Sequence, residues 1–203
     1  MQKKLLLAAI TIAAFFYLNL SGCKADEETI SPRLHAARET LQDSIVFYAR
    51  AMTGNVNLTQ LDSGCPVKYY FSWRDGETMN LQIRNFKVGK MPLISFSIDL
   101  KFMELNDWEK DEYAGEGWIK FTGSGGISTV NGAENDGNGI VTGYFNANTK
   151  DMEFVTDFNV MTVTLDVYRQ PVDFGRMDTY EEDVARYELQ VTSYKLQVGF
   201  HNL

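Results

Sequence analysis

From Val67 onward the side chains alternate between apolar and polar, a pattern that admits little besides an antiparallel sheet with one wet face. Val67, Tyr69, Phe71 and Trp73 are interleaved with Lys68, Tyr70, Ser72 and Arg74. Asp75-Gly76 follows as a type I′ hairpin signal, and the returning segment sets Met79, Leu81 and Ile83 against Asn80, Gln82 and Arg84. Past the breakers at 89–92, Ile94, Phe96, Ile98, Leu100 and Phe102 share one face of a longer strand, with Ser95, Ser97, Asp99 and Lys101 opposite. Further strands are predicted near 117–123, 139–148, 152–157, 160–169 and 186–200. In the last of these the apolar set changes parity, which a bulge near Thr192 would explain. Residues 106–112 and 171–184 are acidic and lack strand periodicity. They read as loops, the second with a helical turn through 180–185.

Ahead of the strands, Ser31-Pro32 gives a helix start, serine as N-cap and proline at the first helical position. Ile30, Leu34, Ala37, Leu41, Ile45, Tyr48 and Met52 recur at steps of three and four, and Gly54 is a fitting stop. This predicts one amphipathic helix over 31–53 that packs on the sheet. Its polar face mixes Arg33, Arg38, Glu39 and Asp43, where a membrane-lying helix would be basic. Strands in meander order behind one helix predict a mostly β domain, a closed or nearly closed antiparallel barrel of about 8 strands.

The first residues read as an export signal. Lys3 and Lys4 form a positive n-region, residues 5–18 an apolar h-region, and Leu20-Ser21-Gly22-Cys23 closes it. That ending resembles the lipobox of bacterial lipoprotein precursors. The resemblance implies a signal peptide over 1–22, lipidation of Cys23, and an acylated tether over 23–30 leading into a single domain over 31–203. A plain secretory signal or an uncleaved anchor is the competing reading, although the apolar run is short for a spanning helix. Two or more acyl chains would hold the chain to a bilayer unaided. Lys24-Ala25-Asp26-Glu27-Glu28 is similar to the acidic export tag of Bacteroidetes lipoproteins. It implies the outer membrane and exposure at the cell surface, though a periplasm-facing tether would also be polar.

A second resemblance concerns the fold. Met79-Asn80-Leu81-Gln82-Ile83-Arg84-Asn85-Phe86 with Met91-Pro92-Leu93-Ile94, and the glycine-rich stretch 117–143, are similar to small calycin-like β-barrel lipoproteins of Bacteroidetes. That group implies a barrel and carries no activity to transfer.

Composition narrows the function. Losing 22 residues with Lys3 and Lys4 leaves 181 residues and takes the net charge from −8 to −10. Nucleic acid and anionic membrane surfaces repel such a chain. A domain of that length needs no disulfide or metal to fold, and with Cys23 acylated, Cys65 is the one thiol left. Cys65 reads as a small buried hydrophobe at a strand start, with a nucleophile or an intermolecular link as the alternative.

Chemistry-bearing patterns are sparse. The two histidines are His35, off the apolar stripe, and His201, near the end of the sequence. Neither suits a nucleophilic triad, and with one free cysteine they do not make a zinc set. Asp99, Glu104, Asp157 and Asp166 fall on predicted strands and could project into a cavity. A close pair of them could serve a hydrolase, while solvent-facing carboxylates are the ordinary outcome. The run 131–139 has the composition of a calcium loop without the spacing or the closing glutamate, and Gly123, Gly125 and Gly126 lack the helix N-terminus of a phosphate loop. No cofactor and no catalytic residue is implied.

Aromatic side chains are abundant, with 3 Trp, 10 Tyr and 13 Phe. Trp73 and Trp118 could line a hollow barrel, and Trp108, in an acidic loop, could stack on a sugar or a partner protein. These features point to a lipid-anchored binding protein for a small apolar molecule or a glycan, held in the barrel or at its mouth. The alternative is a structural or accessory subunit of an outer-membrane protein complex, and the third reading a carboxylate-based hydrolase. A binder predicts a cavity lined by Trp and Tyr. An accessory subunit predicts a filled barrel with an exposed apolar patch.

Overall fold

The computed structural model describes residues 31–135 and 137–200, with side chains as far as 197. The signal at 1–22, Cys23 with its tether, and His201 lie outside the described residues. Eight strands form the barrel: β1 (Asp43–Thr53), β3 (Cys65–Trp73), β4 (Thr78–Phe86), β5 (Ile94–Met103), β6 (Trp118–Val130), β8 (Gly139–Asn146), β9 (Asp151–Asp157) and β10 (Val163–Pro171). Each pairs antiparallel with its neighbours in the order β10-β9-β8-β6-β5-β4-β3-β1, and β1 pairs with β10 to close the ring. Closure leaves every one of these strands paired on both sides, though β1 and β10 meet over only part of their length. Two short pieces, β2 (Val56–Asn57) beside β1 and β7 (Ala133–Glu134) beside β6, extend hairpins at one end. The β6–β7 turn is Asn131-Gly132, both at positive φ, as a type I′ turn requires. Asp75-Gly76 does not make one: neither residue has positive φ, and the Asp75 side chain instead accepts from the backbone N–H groups of Glu77 and Thr78.

Alternation puts one face of every strand inside, and the inside is full. Phe47, Tyr69, Phe121 and Phe154 meet on the axis, with Phe154 5.0 Å from Tyr69, 5.7 Å from Phe47 and 6.0 Å from Phe121 between ring centroids. Rings of this size fit because glycines lie beside them on nearby strands, Gly143 being the cross-strand partner of both Phe121 and Phe154. A Cβ on Gly126 or Gly139 would overlap the Phe96 ring, and one on Gly143 would overlap Phe121 and Phe154. The glycine-rich stretch therefore seats rings within strands as well as turning the chain. Cys65 is buried in the same core, and burial pushes its thiol up to about 12, which keeps it protonated.

Three further expectations are corrected. The helix foreseen over 31–53 ends early: α1 is Pro32–Thr40, and Asp43, at φ +57°, turns the chain into β1. The spacing of Ile45, Tyr48 and Met52 fits a helix, but Ile45, Phe47, Ala49 and Ala51 fit a strand, and all four are fully buried in the core. The strand foreseen over 186–200 is the second half of a helix, Tyr180–Phe200. The parity change read as a bulge is a helical stripe in which Tyr180, Val184, Tyr187 and Val191 recur at steps of four and three and are partly buried. Residues 106–112 also hold a short helix, α2 (Asp107–Glu112), so the C-terminal helix is α3. A capping box between Asn106 and Glu109 starts α2.

The two barrel ends differ. Where β3 and β5 finish, α1 supplies Ala37 to the core and Leu41, just after it, joins in; Trp73 Nε1 donates to the Leu41 carbonyl at 2.8 Å and Arg33 donates to that of Trp118 at 2.9 Å. At the opposite end Phe158, fully buried, stacks on Phe86 and meets Phe96 edge-on, and Ser128 Oγ donates to its carbonyl at 2.6 Å. Along the outside, α3 holds Tyr180 under Lys68 Nζ, and Tyr187 Oη donates to the Thr59 carbonyl at 2.9 Å.

Candidate functional site

At the Phe158 end of the barrel the loops line an open cleft of about 590 Å³, within the usual size of small-molecule sites. Four separate stretches build it. Thr53, Val56, Asn57, Leu58 and Gln60 come from the β1–β3 connection, Val88 to Pro92 from the β4–β5 connection, Met161 and Val163 from the β9–β10 turn, and Lys195 from α3. The first wall is stiffened by Asn57. Its Oδ1 accepts from the Thr59 backbone and hydroxyl, and its Nδ2 donates to the Leu61 carbonyl at 3.0 Å. Among the described residues, the lining is mainly aliphatic and thioether, holds no aromatic ring, and carries two ammonium groups and no carboxylate.

The turn at its edge is strained. Val163 N–H donates to the Val160 carbonyl at 2.9 Å, and both central residues are left-handed, Met161 at φ +50° and Thr162 at φ +58°. Such a turn favours Asn-Gly; a β-branched residue there is an outlier. Thr162 is held in place from β1, its hydroxyl 2.9 Å from that of Thr53. Met161 is 72% exposed. Strain of this kind costs about 1–3 kcal/mol per residue and gathers at functional sites. Replacing the pair with Asn-Gly should therefore raise unfolding stability by about 1–2 kcal/mol. Chemical denaturation measures this, and an unchanged or lower midpoint would show that the turn stores no strain.

The tryptophans do not share a site. Trp73 stacks on Phe102 at 5.3 Å and edges a polar hollow of about 460 Å³ beside α1, with His35, Arg38 and Glu39. Trp118 is buried with Leu105 and Tyr113. Trp108, 87% exposed on α2, borders neither. The carboxylates are dispersed as well. Asp99 pairs with Arg74 at 2.6 Å, Glu104 with Arg33 at 2.7 Å and Asp166 with Arg50 at 2.9 Å, while Asp157 accepts from the Asn159 N–H at 2.8 Å.

Sequence reasoning also missed the network that docks α2. Tyr113 stacks on Tyr144 at 3.9 Å and donates to Glu153, which pairs with Arg169 at 2.7 Å. Glu109 is partly desolvated, which would raise its pKa, but bonds from Lys120, the Asn106 N–H and Tyr144 hold it below the usual carboxylate range. Tyr144 is pushed up to about 12 by burial and by its bond to Glu109. The local signal was Asn106 with Glu109 three residues on, the capping pair itself. No such signal exists for the cleft, whose walls share no motif. Among the described residues, no group of three or more His, Cys, Asp or Glu side chains could hold a metal ion.

No curated protein and no solved structure matches this chain. The family model described as a domain of unknown function (DUF4903) matches residues 22–199, nearly the whole length, and the chain belongs to that family.

Proposed function

We propose that this chain is a binding protein whose site is the loop-end cleft, and that its ligand is a small molecule with a substantial apolar part. One observation carries the reading: a cleft of ligand size, bordered by Met161 on a turn strained at that point, on a barrel whose own interior is filled. Ligand therefore sits at the mouth, outside the filled barrel. Of the two ligand classes the sequence suggested, the apolar molecule fits better, because a glycan finds no ring in the lining to stack on. With lipidation at Cys23, the barrel would be displayed from the outer membrane.

Native mass spectrometry of residues 24–203 purified from the native host tests this. A bound mass that disappears on denaturation is expected. Met161→Asn should weaken rebinding by about tenfold, the cost of one lost apolar contact. A clean apo mass, together with failure to bind any apolar fluorophore, would sink the reading.

A second reading, an accessory subunit of an outer-membrane complex, is favoured by the filled interior and by α3, where Leu189 is 70% and Leu196 59% exposed. Pull-down from outer membranes with and without charged substitutions at Leu189 and Leu196 separates the two.

A further inference from the structure

We infer that the cleft selects an anionic amphipath, a single aliphatic chain ending in a carboxylate or similar anion, with the head held by Lys195 and Lys90. This rests on the cleft being the ligand site and goes on to say what kind of molecule fills it.

The argument starts from charge. The chain has 27 acidic and 19 basic residues, so a surface hollow of this size would ordinarily include carboxylates, and the hollow beside α1 does, with Glu39 and Asp43. Among the described residues, the loop-end cleft is lined by Lys90 and Lys195 and by no acid. Elsewhere four lysines are occupied, Lys110 pairing with Asp107, Lys120 with Glu109, Lys150 donating to the Ala147 carbonyl and Lys68 lying over Tyr180, while Lys87 and Lys101 stand unpaired but line neither of these two hollows. Among the described residues neither Lys90 nor Lys195 makes an ion pair. Two unpaired cations above an aliphatic floor are complementary to a negative head on an apolar tail.

The floor points to the same class. Val88, Met91, Pro92, Met161 and Val163 offer aliphatic and thioether surface with no ring. Methionines adapt to a flexible chain better than to a rigid polycycle. Lys195 arrives on a different element from the rest, so α3 completes the charged side of a cleft that the barrel loops shape.

The test uses the full-length chain in phosphatidylcholine nanodiscs, photolabelled with a diazirine-bearing long-chain carboxylate or with the alcohol of equal length. Labelled peptides are mapped by mass spectrometry, and a K90Q/K195Q chain serves as reference. Both lysines are exposed, so this variant should fold. The expected result is carboxylate labelling at Met91 and Met161 roughly three- to tenfold higher in the wild type than in the variant, the scale of two exposed ion pairs. Alcohol labelling should be equal in both chains, and the carboxylate advantage should collapse in about 0.5 M salt. Equal labelling of wild type and variant by the carboxylate, with both probes in the cleft, would overturn the anionic selectivity and leave the cleft as an apolar site. Absence of both probes from the cleft peptides would overturn the binding site itself.

Discussion

Replacing Gln170 with leucine is expected to lower unfolding stability by about 2–5 kcal/mol, because it leaves the part-buried N–H and C=O of Tyr48, and the Arg176 guanidinium, without this partner. The reason lies in the seam that closes the barrel. β1 and β10 pair over only four positions, Arg50 to Thr53 against Asp166 to Val163. Beyond them β10 is irregular between Val167 and Gln170, so its backbone does not continue the pairing to Tyr48. The Gln170 side chain fills the gap. Its Oε1 accepts from the Tyr48 N–H at 3.0 Å, and its Nε2 donates to the Tyr48 carbonyl at 2.8 Å. One side-chain amide thus serves as the missing peptide group of the ladder. Gln170 is 6% exposed, and its Oε1 also accepts from Arg176 at 2.6 Å. Urea or guanidinium unfolding of Gln170→Leu measures the loss. A change under about 1 kcal/mol would mean that water replaces the amide and that the seam is wetter than its burial implies.

Gly143→Ala should destabilise by about 3 kcal/mol, at the upper end of the range for overpacking. The added methyl would overlap the Phe154 Cβ and the Phe121 ring tip, and it would lie 2.6 Å from the Glu153 carbonyl oxygen. Two of these three neighbours are a backbone atom and a side-chain root, which cannot rotate away. In a Phe121→Leu background the penalty should fall by about 1 kcal/mol, since that variant removes the one neighbour able to yield. Thermal or chemical unfolding of the four chains closes the cycle. Full additivity would mean that the methyl strains only the backbone.

The strands from β3 to β5 were legible because one face is buried and the other wet over three consecutive segments, and Val67 to Phe102 kept that alternation. β1 was not legible. Val46, Phe47 and Tyr48 are consecutive apolar residues, which fit either period, and the strand's identity depends on β10, more than a hundred residues away, needing an edge to close on. The helical nature of α3 was masked by tyrosine and valine, side chains that favour sheets but are overridden here by packing on β3. The inward glycines were visible as residues but not as seats, since their role depends on rings from other strands. The cleft had no signature at all. Its walls come from distant connections, and its strained turn carries Met161-Thr162, the opposite of what a turn-seeking reader looks for.

With its axis occupied from Ala37 and Leu41 at one end to Phe158 at the other, the barrel behaves as a solid post. A filled axis leaves no channel between the rim at the loop end and the end closed by α1. The exposed parts of the rim loops could therefore be exchanged as a set, with Phe158, Ser128, the core members Val88, Met91, Val160 and Val163, and Leu58 packed against them retained, to give a different pocket on an unchanged cylinder. In this fold, new specificity can be acquired without renegotiating the core.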